Sequence, residues 1–173
     1  MKGHNPKAVR ILGVDPGSLA CGYGVIDVIG GKAEYVSSGR ILLPGKLPLP
    51  ERLRELHEGL SEVIGKFKPD AAAVEKMFFA KSARAAISLG QARGVAVLAV
   101  AEAGIEAHEF TAVAVKKAVS GFGRAEKSQV EKMVRRLLNI EHALSPDSAD
   151  ALAIAICLSN SLALNEAIGA KRR

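Results

Sequence analysis

The chain has 173 residues, enough for one domain with a full-sized core, and 49% of them are hydrophobic, which excludes a disordered or fibrous class. Lys and Arg number 24 against 18 Asp and Glu, a net charge of +6 that favours a polyanionic partner. Cys21 and Cys157 lie far apart with no CxxC spacing, which excludes a disulfide scaffold and a zinc framework. They read as buried, reduced thiols of a cytoplasmic protein.

Residues 1–9 are polar, with no apolar signal-peptide core, and are expected to be a flexible extension. A single domain is expected over residues 10–165, followed by a basic tail at 166–173. The first element, Ile11-Leu-Gly-Val-Asp15, reads as a buried central strand stopped by Pro16-Gly17. Asp15 therefore stands at a strand end, where a charge is costly unless paired or metal-bound. Cys21–Val28 and Ala33–Leu43 read as further strands, with Gly30-Gly31 as their hairpin turn. Gly22 and Gly24 leave little side chain beside Asp15, so that backbone or a ligand can come close.

Pro50 starts a helix to about Phe67, with Leu53, Leu56, Leu60, Val63 and Ile64 on one face. Ala71-Ala-Ala-Val-Glu75 is a second apolar run that ends in a carboxylate. Ser82 caps a long helix to about Glu102, apolar nearly all round, with Gly90 and Gly94 permitting close packing. Its Arg84, Gln91 and Arg93 argue against a membrane span. Such a helix needs cover on two sides, from a second copy of the chain or from one core. Ile105–Phe110 reads as an edge strand, Thr111 as the cap of a short helix with Lys116 and Lys117, and Glu126–Leu138 as an amphipathic helix with Lys127. Ser145-Pro146 starts the last helix, to about Leu164. The order predicts an α/β fold: a mixed sheet with helices on both faces.

Asp147 and Asp150 are three apart near the start of that last helix, so they share a face. Asp147 suits the helix macrodipole, whereas Asp150 heads a run of Ala, Leu and Ile that has to be buried. Adjacent parallel strands would bring the ends bearing Asp15 and Glu75 together, and a helix packed on the sheet adds Asp150 and Asp147. Four carboxylates so placed repel one another without a cation, and hard oxygen donors suit Mg²⁺ or Mn²⁺. Two ions about 4 Å apart would clamp the attacking and leaving oxygens of a phosphodiester.

Several segments together resemble one family. These are Ile11-Leu-Gly-Val-Asp15-Pro-Gly-Ser18 with Gly22-Tyr-Gly-Val-Ile26, then Glu75-Lys-Met-Phe-Phe-Ala-Lys81 and Leu89-Gly-Gln-Ala-Arg-Gly-Val-Ala96. Gly123-Arg-Ala-Glu-Lys-Ser-Gln-Val130 and Asp147-Ser-Ala-Asp150-Ala-Leu-Ala153 complete the set. In order and spacing, from about residue 10 to 160, they resemble the RuvC family of bacterial Holliday-junction resolvases. The resemblance implies an RNase H-like fold with a five-stranded sheet and a homodimer that cuts two opposed strands of a four-way DNA junction in recombination and repair. It implies metal-dependent hydrolysis leaving 5′-phosphate and 3′-hydroxyl ends, with two Mg²⁺ per site and Mn²⁺ as a substitute. It also implies a preference for cutting at particular short sequences and partnership with the branch-migration motor of RuvA and RuvB. Its catalytic acids and metal ligands carry over onto Asp15, Glu75, Asp147 and Asp150.

By the same resemblance Lys116 and Lys127 fall where the family places basic residues near the cut, Lys127 with a catalytic part, and Phe78 is the residue to stack or wedge into the junction. Arg84, Lys76 and Lys81 flank the second motif and are candidate phosphate contacts. Phe79 reads as core, and His4, His57, His108 and His142 show no metal spacing. Gly121-Phe-Gly-Arg-Ala-Glu-Lys-Ser128 is a false P-loop, because Glu126 stands where that motif needs Gly. Two rival readings are a non-catalytic junction-binding protein and an actin-like nucleotide-binding module, for which one lobe is too few.

Overall fold

The computed structural model describes residues 8–76 and 82–171. Among them, strands β1 (Val9–Pro16), β2 (Ala20–Ile29), β3 (Lys32–Leu42), β4 (Ala71–Lys76) and β5 (Ala107–Thr111) form a five-stranded sheet in the order β3-β2-β1-β4-β5. The first three make an antiparallel meander, and β4 and β5 add in parallel. Gly30 and Gly31, at φ 57° and 83°, turn the hairpin between β2 and β3 with both central residues in the left-handed region. This is the expected mixed sheet, with β1 at its centre.

Helices α1 (Leu49–Phe67) and α2 (Ala83–Glu102) cover one face, and α3 (Ala112–Ser120), α4 (Lys127–Leu137) and α5 (Pro146–Lys171) cover the other. Strand alternation assigns the side chains. Leu12 and Val14 of β1 pack with Leu56, Leu60 and Val100, whereas Ile11 packs with α5. Asp15 shares its face with Ile11, so it points toward α5.

The groove for α5 is floored by glycines. A Cβ on Gly13 would lie 2.0 Å from the Ala151 carbonyl oxygen, and one on Gly22 2.1 Å from that of Asp147. The close approach anticipated beside Asp15 is thus made by helix backbone. Residues 151–159 are all buried, because the sheet lies on one side of α5 and α3 and α4 on the other.

One expectation is corrected here, and one of the two covers open to α2 is removed, full burial within a single core. The last helix continues to Lys171 instead of ending near Leu164. The apolar α2 is covered on one side only: Ala92, Ala96, Ala99 and Val100 are buried, but Ile87 and Leu98 remain 64% and 51% exposed. Gly90 and Gly94 face open space. Both α2 and Pro146–Leu164 are long and apolar enough to cross a membrane. In α5 that apolar surface is taken up by the core, and in α2 the one central charge, Arg93, is paired with Glu109 of β5.

The sheet end opposite Asp15 is pinned by Arg10. Its guanidinium donates two 2.8 Å hydrogen bonds to the Asp27 carboxylate and a 3.0 Å bond to the Phe67 carbonyl. The bond to Arg10 holds the Asp27 carboxyl below the usual carboxylate range. A group with a depressed folded pKa contributes stability above its unfolded pKa and loses it as pH falls through the folded one. Asp27→Asn is therefore expected to cost about 1 kcal/mol at pH 7, since the pair is partly solvated. In urea titrations that difference should shrink as the pH falls below the ordinary carboxylate range and the carboxylate protonates in the folded state as well; a difference that stays constant through that fall would contradict the assignment.

Candidate active site

β1, β4 and β5 run parallel, so their carboxyl ends lie together. The β1–β4 ladder reaches Val14↔Val74, and Asp15 and Glu75 are the next residues along each strand. β5 ends one step further on at Thr111, whose hydroxyl accepts from the Ala114 N–H at 3.1 Å and starts α3 over the same edge. On α5, Ser145 Oγ accepts from the Ser148 N–H at 3.2 Å and sets the first turn. The glycine groove then holds that turn above β1.

The outcome is a cleft of about 240 Å³ lined by Asp15, Glu75, Asp150, Lys116 and Lys127, with Val115, Val130 and Ile154 in its walls. Three of the four predicted acids, drawn from β1, β4 and α5, share it with Lys116 and Lys127, two of the predicted basic residues. The fourth, Asp147, lies over Gly22, the antiparallel partner of Asp15, and faces Arg40 at 3.8 Å. Arg40 was not anticipated from sequence.

The electrostatics follow from this crowding. Burial, then the charges of Asp150 and Glu75, push the Asp15 carboxyl up to about 7, and Lys127 offsets part of the rise. Glu75 is raised for the same first reason, burial, with Asp150 adding to it and Lys127 and Lys116 opposing. Lys127 Nζ donates to Asp150 Oδ2 at 2.7 Å, and that bond raises the ammonium's pKa. Nothing basic lies one helical turn from Asp150 in sequence; its partner arrives from α4, 23 residues away.

As placed, no three acidic, histidine or cysteine side chains among the described residues converge on one point at metal-binding spacing.

Other predicted residues fall elsewhere. Arg84 is exposed in the first turn of α2 and does not line the cleft. Phe78, Lys81 and Phe79 lie outside the described residues. His142 packs edge-on against Tyr35, with ring centroids 5.8 Å apart, and His57 pairs with Glu102 at 2.7 Å. The false P-loop is the turn between α3 and α4: Gly121 caps α3 in the left-handed region, and Glu126 is the N-cap of α4.

Residues 11–158 match the family described as Crossover junction endodeoxyribonuclease RuvC. A protein of that description from Citrifermentans bemidjiense is 46% identical over 155 residues, covering 90% of this chain and 94% of the relative. One from Syntrophotalea carbinolica is 48% identical over 158 residues, covering 91% and 98%. Among solved structures, T. thermophilus RuvC in complex with Holliday junction substrate superposes with a TM-score of 0.85 at 33% identity, covering 91% of this chain and 96% of that one. The sheet and its two helical layers are thus an RNase H-like fold, and the chain belongs to the RuvC family of crossover junction endodeoxyribonucleases.

Proposed function

We propose that the cleft at the carboxyl end of β1 and β4 is the nuclease site, and that it cuts four-way DNA junctions by paired, symmetric hydrolysis. The observation that carries this is the convergence of Asp15, Glu75 and Asp150 on one cleft with Lys116 and Lys127. A junction-binding protein without catalysis has no need of three carboxylates there, where they repel the phosphate they would contact.

The donor set suits two Mg²⁺, with Mn²⁺ as a substitute: all are hard oxygens, and Asp15 is held in a protonation balance that a divalent charge would shift toward the anion. Asp15, Glu75 and Asp150 would hold the ions, with Asp147 joining from the start of α5. Such ions would supply Lewis-acid polarisation of the phosphodiester and of the attacking water. Lys127 is a catalytic group in this reading. Its ammonium has three N–H donors, and one is committed to Asp150. The others are placed to meet charge developing on the phosphoryl oxygens. Lys116 lies on the phosphate path, and Arg84, Phe78 and Lys81 extend it.

Paired cuts need two sites related as the junction's opposed strands are, which a two-fold dimer provides. The half-covered α2, with exposed Ile87 and Leu98 around open Gly90 and Gly94, supports that dimer. Cooperation with RuvA and RuvB rests on family membership alone. Buried, unpaired Cys21 and Cys157, the latter with its thiol pushed up to about 11 by burial, suit a reducing cytoplasm.

The test is a synthetic four-way junction beside a linear duplex of the same sequence, with Mg²⁺ or Mn²⁺. Paired nicks in the junction only are expected. The double variant Ile87→Glu, Leu98→Glu should sediment as a monomer with unchanged circular dichroism and lose paired cutting. A dimeric variant with normal paired cuts would remove α2 from the interface, and an inert wild-type protein would leave only the binding role.

A further inference from the structure

The turn from α3 to α4 holds one of the most exposed apolar side chains in the described fold, Phe122 at 61%, and Val113 in the first turn of α3, 63% exposed, lies against the same turn at Gly123. The turn is well braced. Ser120 Oγ donates to the Lys116 carbonyl at 2.7 Å and accepts from the Phe122 N–H at 3.4 Å. The Ala125 N–H reaches the Phe122 carbonyl at 3.2 Å, and a Cβ on Gly123 would lie 2.8 Å from Val113 Cγ1. Phe122 is therefore held outward by fixed backbone.

Beside it lies a hollow of about 380 Å³ lined by Ser120, Phe122, Ala125, Gln129, Lys132 and Met133. The lining is largely apolar, with one cation and no carboxylate. Glu126, at the start of α4, is turned to the backbone N–H of Gln129, and Gln129 Oε1 accepts from the Glu126 N–H at 3.1 Å. That reciprocal bond leaves the Gln129 amide NH₂ for another acceptor. Lys132 has no ion-pair partner among the described residues, and Arg124 is exposed in the same turn.

The hollow adjoins the cleft across α4. Lys127 lines the cleft and Met133 the hollow, six residues or about 9 Å apart along the helix. A DNA strand covers that distance in two or three nucleotides at about 3.4 Å each.

We propose that this hollow is a subsite for one unstacked nucleotide of the strand being cut, with the base on Phe122 and the backbone phosphate toward Lys132. The inference rests on the cleft being the nuclease site. Charge selects the occupant: an aromatic shelf with an amide donor and cations but no carboxylate suits a base on a polyanionic strand. A protein side chain would gain nothing from the cations unless it were acidic.

The test uses the full-length protein in chelator with four-way junctions carrying 5-iododeoxyuridine at single positions one to five nucleotides from the scissile phosphate. Irradiation and peptide mapping should place an adduct on Phe122 from one position, two or three nucleotides from the cut. Phe122→Ala should lose that adduct, keep its melting temperature and bind the junction on the order of tenfold more weakly. Phe122→Trp should retain binding. Lys132→Gln should lower the slope of log Kd against log salt by about one phosphate's worth, roughly 0.7 to 0.9. Each preparation is also assayed for cutting with Mg²⁺ and with Mn²⁺. Normal cutting with no Phe122 adduct from any position, or with unchanged affinity in Phe122→Ala, overturns the subsite and leaves the nuclease reading intact. Failure to cut with either metal overturns both.

Discussion

Asp15→Asn is expected to abolish junction cleavage, by about a thousandfold or more, while leaving junction binding within a few-fold of wild type. The change removes one oxygen donor and one negative charge from a cleft that also holds Glu75, Asp150 and Lys127. Losing a charge that repels phosphate cannot weaken binding electrostatically, so binding and cutting should separate. The same substitution should make the metal-free protein more stable. Asp15 titrates near 7 in the fold against an ordinary 3.8, because burial and then Asp150 and Glu75 disfavour its anion. The folded state therefore binds more protons than the unfolded one between those values, and stability falls as pH rises through that window. The loss amounts to up to about 4 kcal/mol by pH 8.

Asn carries no such charge. In chelator at pH 8 the variant should melt above wild type, and at pH 4 the two should nearly coincide. Adding Mg²⁺ at pH 8 should raise the wild-type melting temperature more than the variant's, because ligation stabilises only a state that binds the ion. A variant less stable than wild type in chelator at pH 8, or one that loses binding together with cutting, would remove Asp15 from the centre of the site.

Gly13→Ala is expected to have the second largest effect, this time on the fold. The added methyl would sit 2.0 Å from the Ala151 carbonyl oxygen and 2.7 Å from the Ala155 nitrogen, both backbone of α5. Neither a strand at the centre of a sheet nor a buried helix yields as a side chain does. The cost should reach about 3 kcal/mol or more, seen as a lower urea midpoint. Any molecules that fold should cut poorly, because α5 carries Asp150 and lifting it opens the cleft. Gly65→Ala provides the control. It lies near the end of α1 with nothing within 4 Å of its Cβ position and an ordinary helical φ, so the same methyl should stabilise by about 0.5 to 1 kcal/mol. Equal effects at the two glycines would refute the close contact of β1 with α5.

Much of the site was legible because its members sit at local punctuation. Asp15 precedes Pro16-Gly17, Glu75 ends an apolar run, and Asp150 follows the Ser145-Pro146 start of a helix; each stands at an element end because the sequence stops or starts an element there. Arg40 was not legible. A straight ladder from the Gly30-Gly31 turn would set Gly39 opposite Gly22, but a bulge at Val25/Ile26 sets Arg40 there and turns it toward Asp147. Phe122 was passed over for a similar reason. In sequence it belonged to a phosphate-loop mimic, and only its exposure in a braced turn shows it as a surface feature.

The two long apolar helices make the same division. Composition hardly separates α2 from α5, yet α5 is enclosed between the sheet and two helices whereas α2 leaves Ile87 and Leu98 open. By itself the sequence determined the strands, the caps, the α/β class and the acids at the element ends, because turn chemistry and periodicity act within a few residues. Only the tertiary structure decided which face of β1 the acids share, that glycines admit α5 close enough to bring Asp150 over it, and that Lys127 is the cation meeting Asp150. Those are contacts between segments far apart in the chain, set by packing against a common sheet, and no local pattern encodes them.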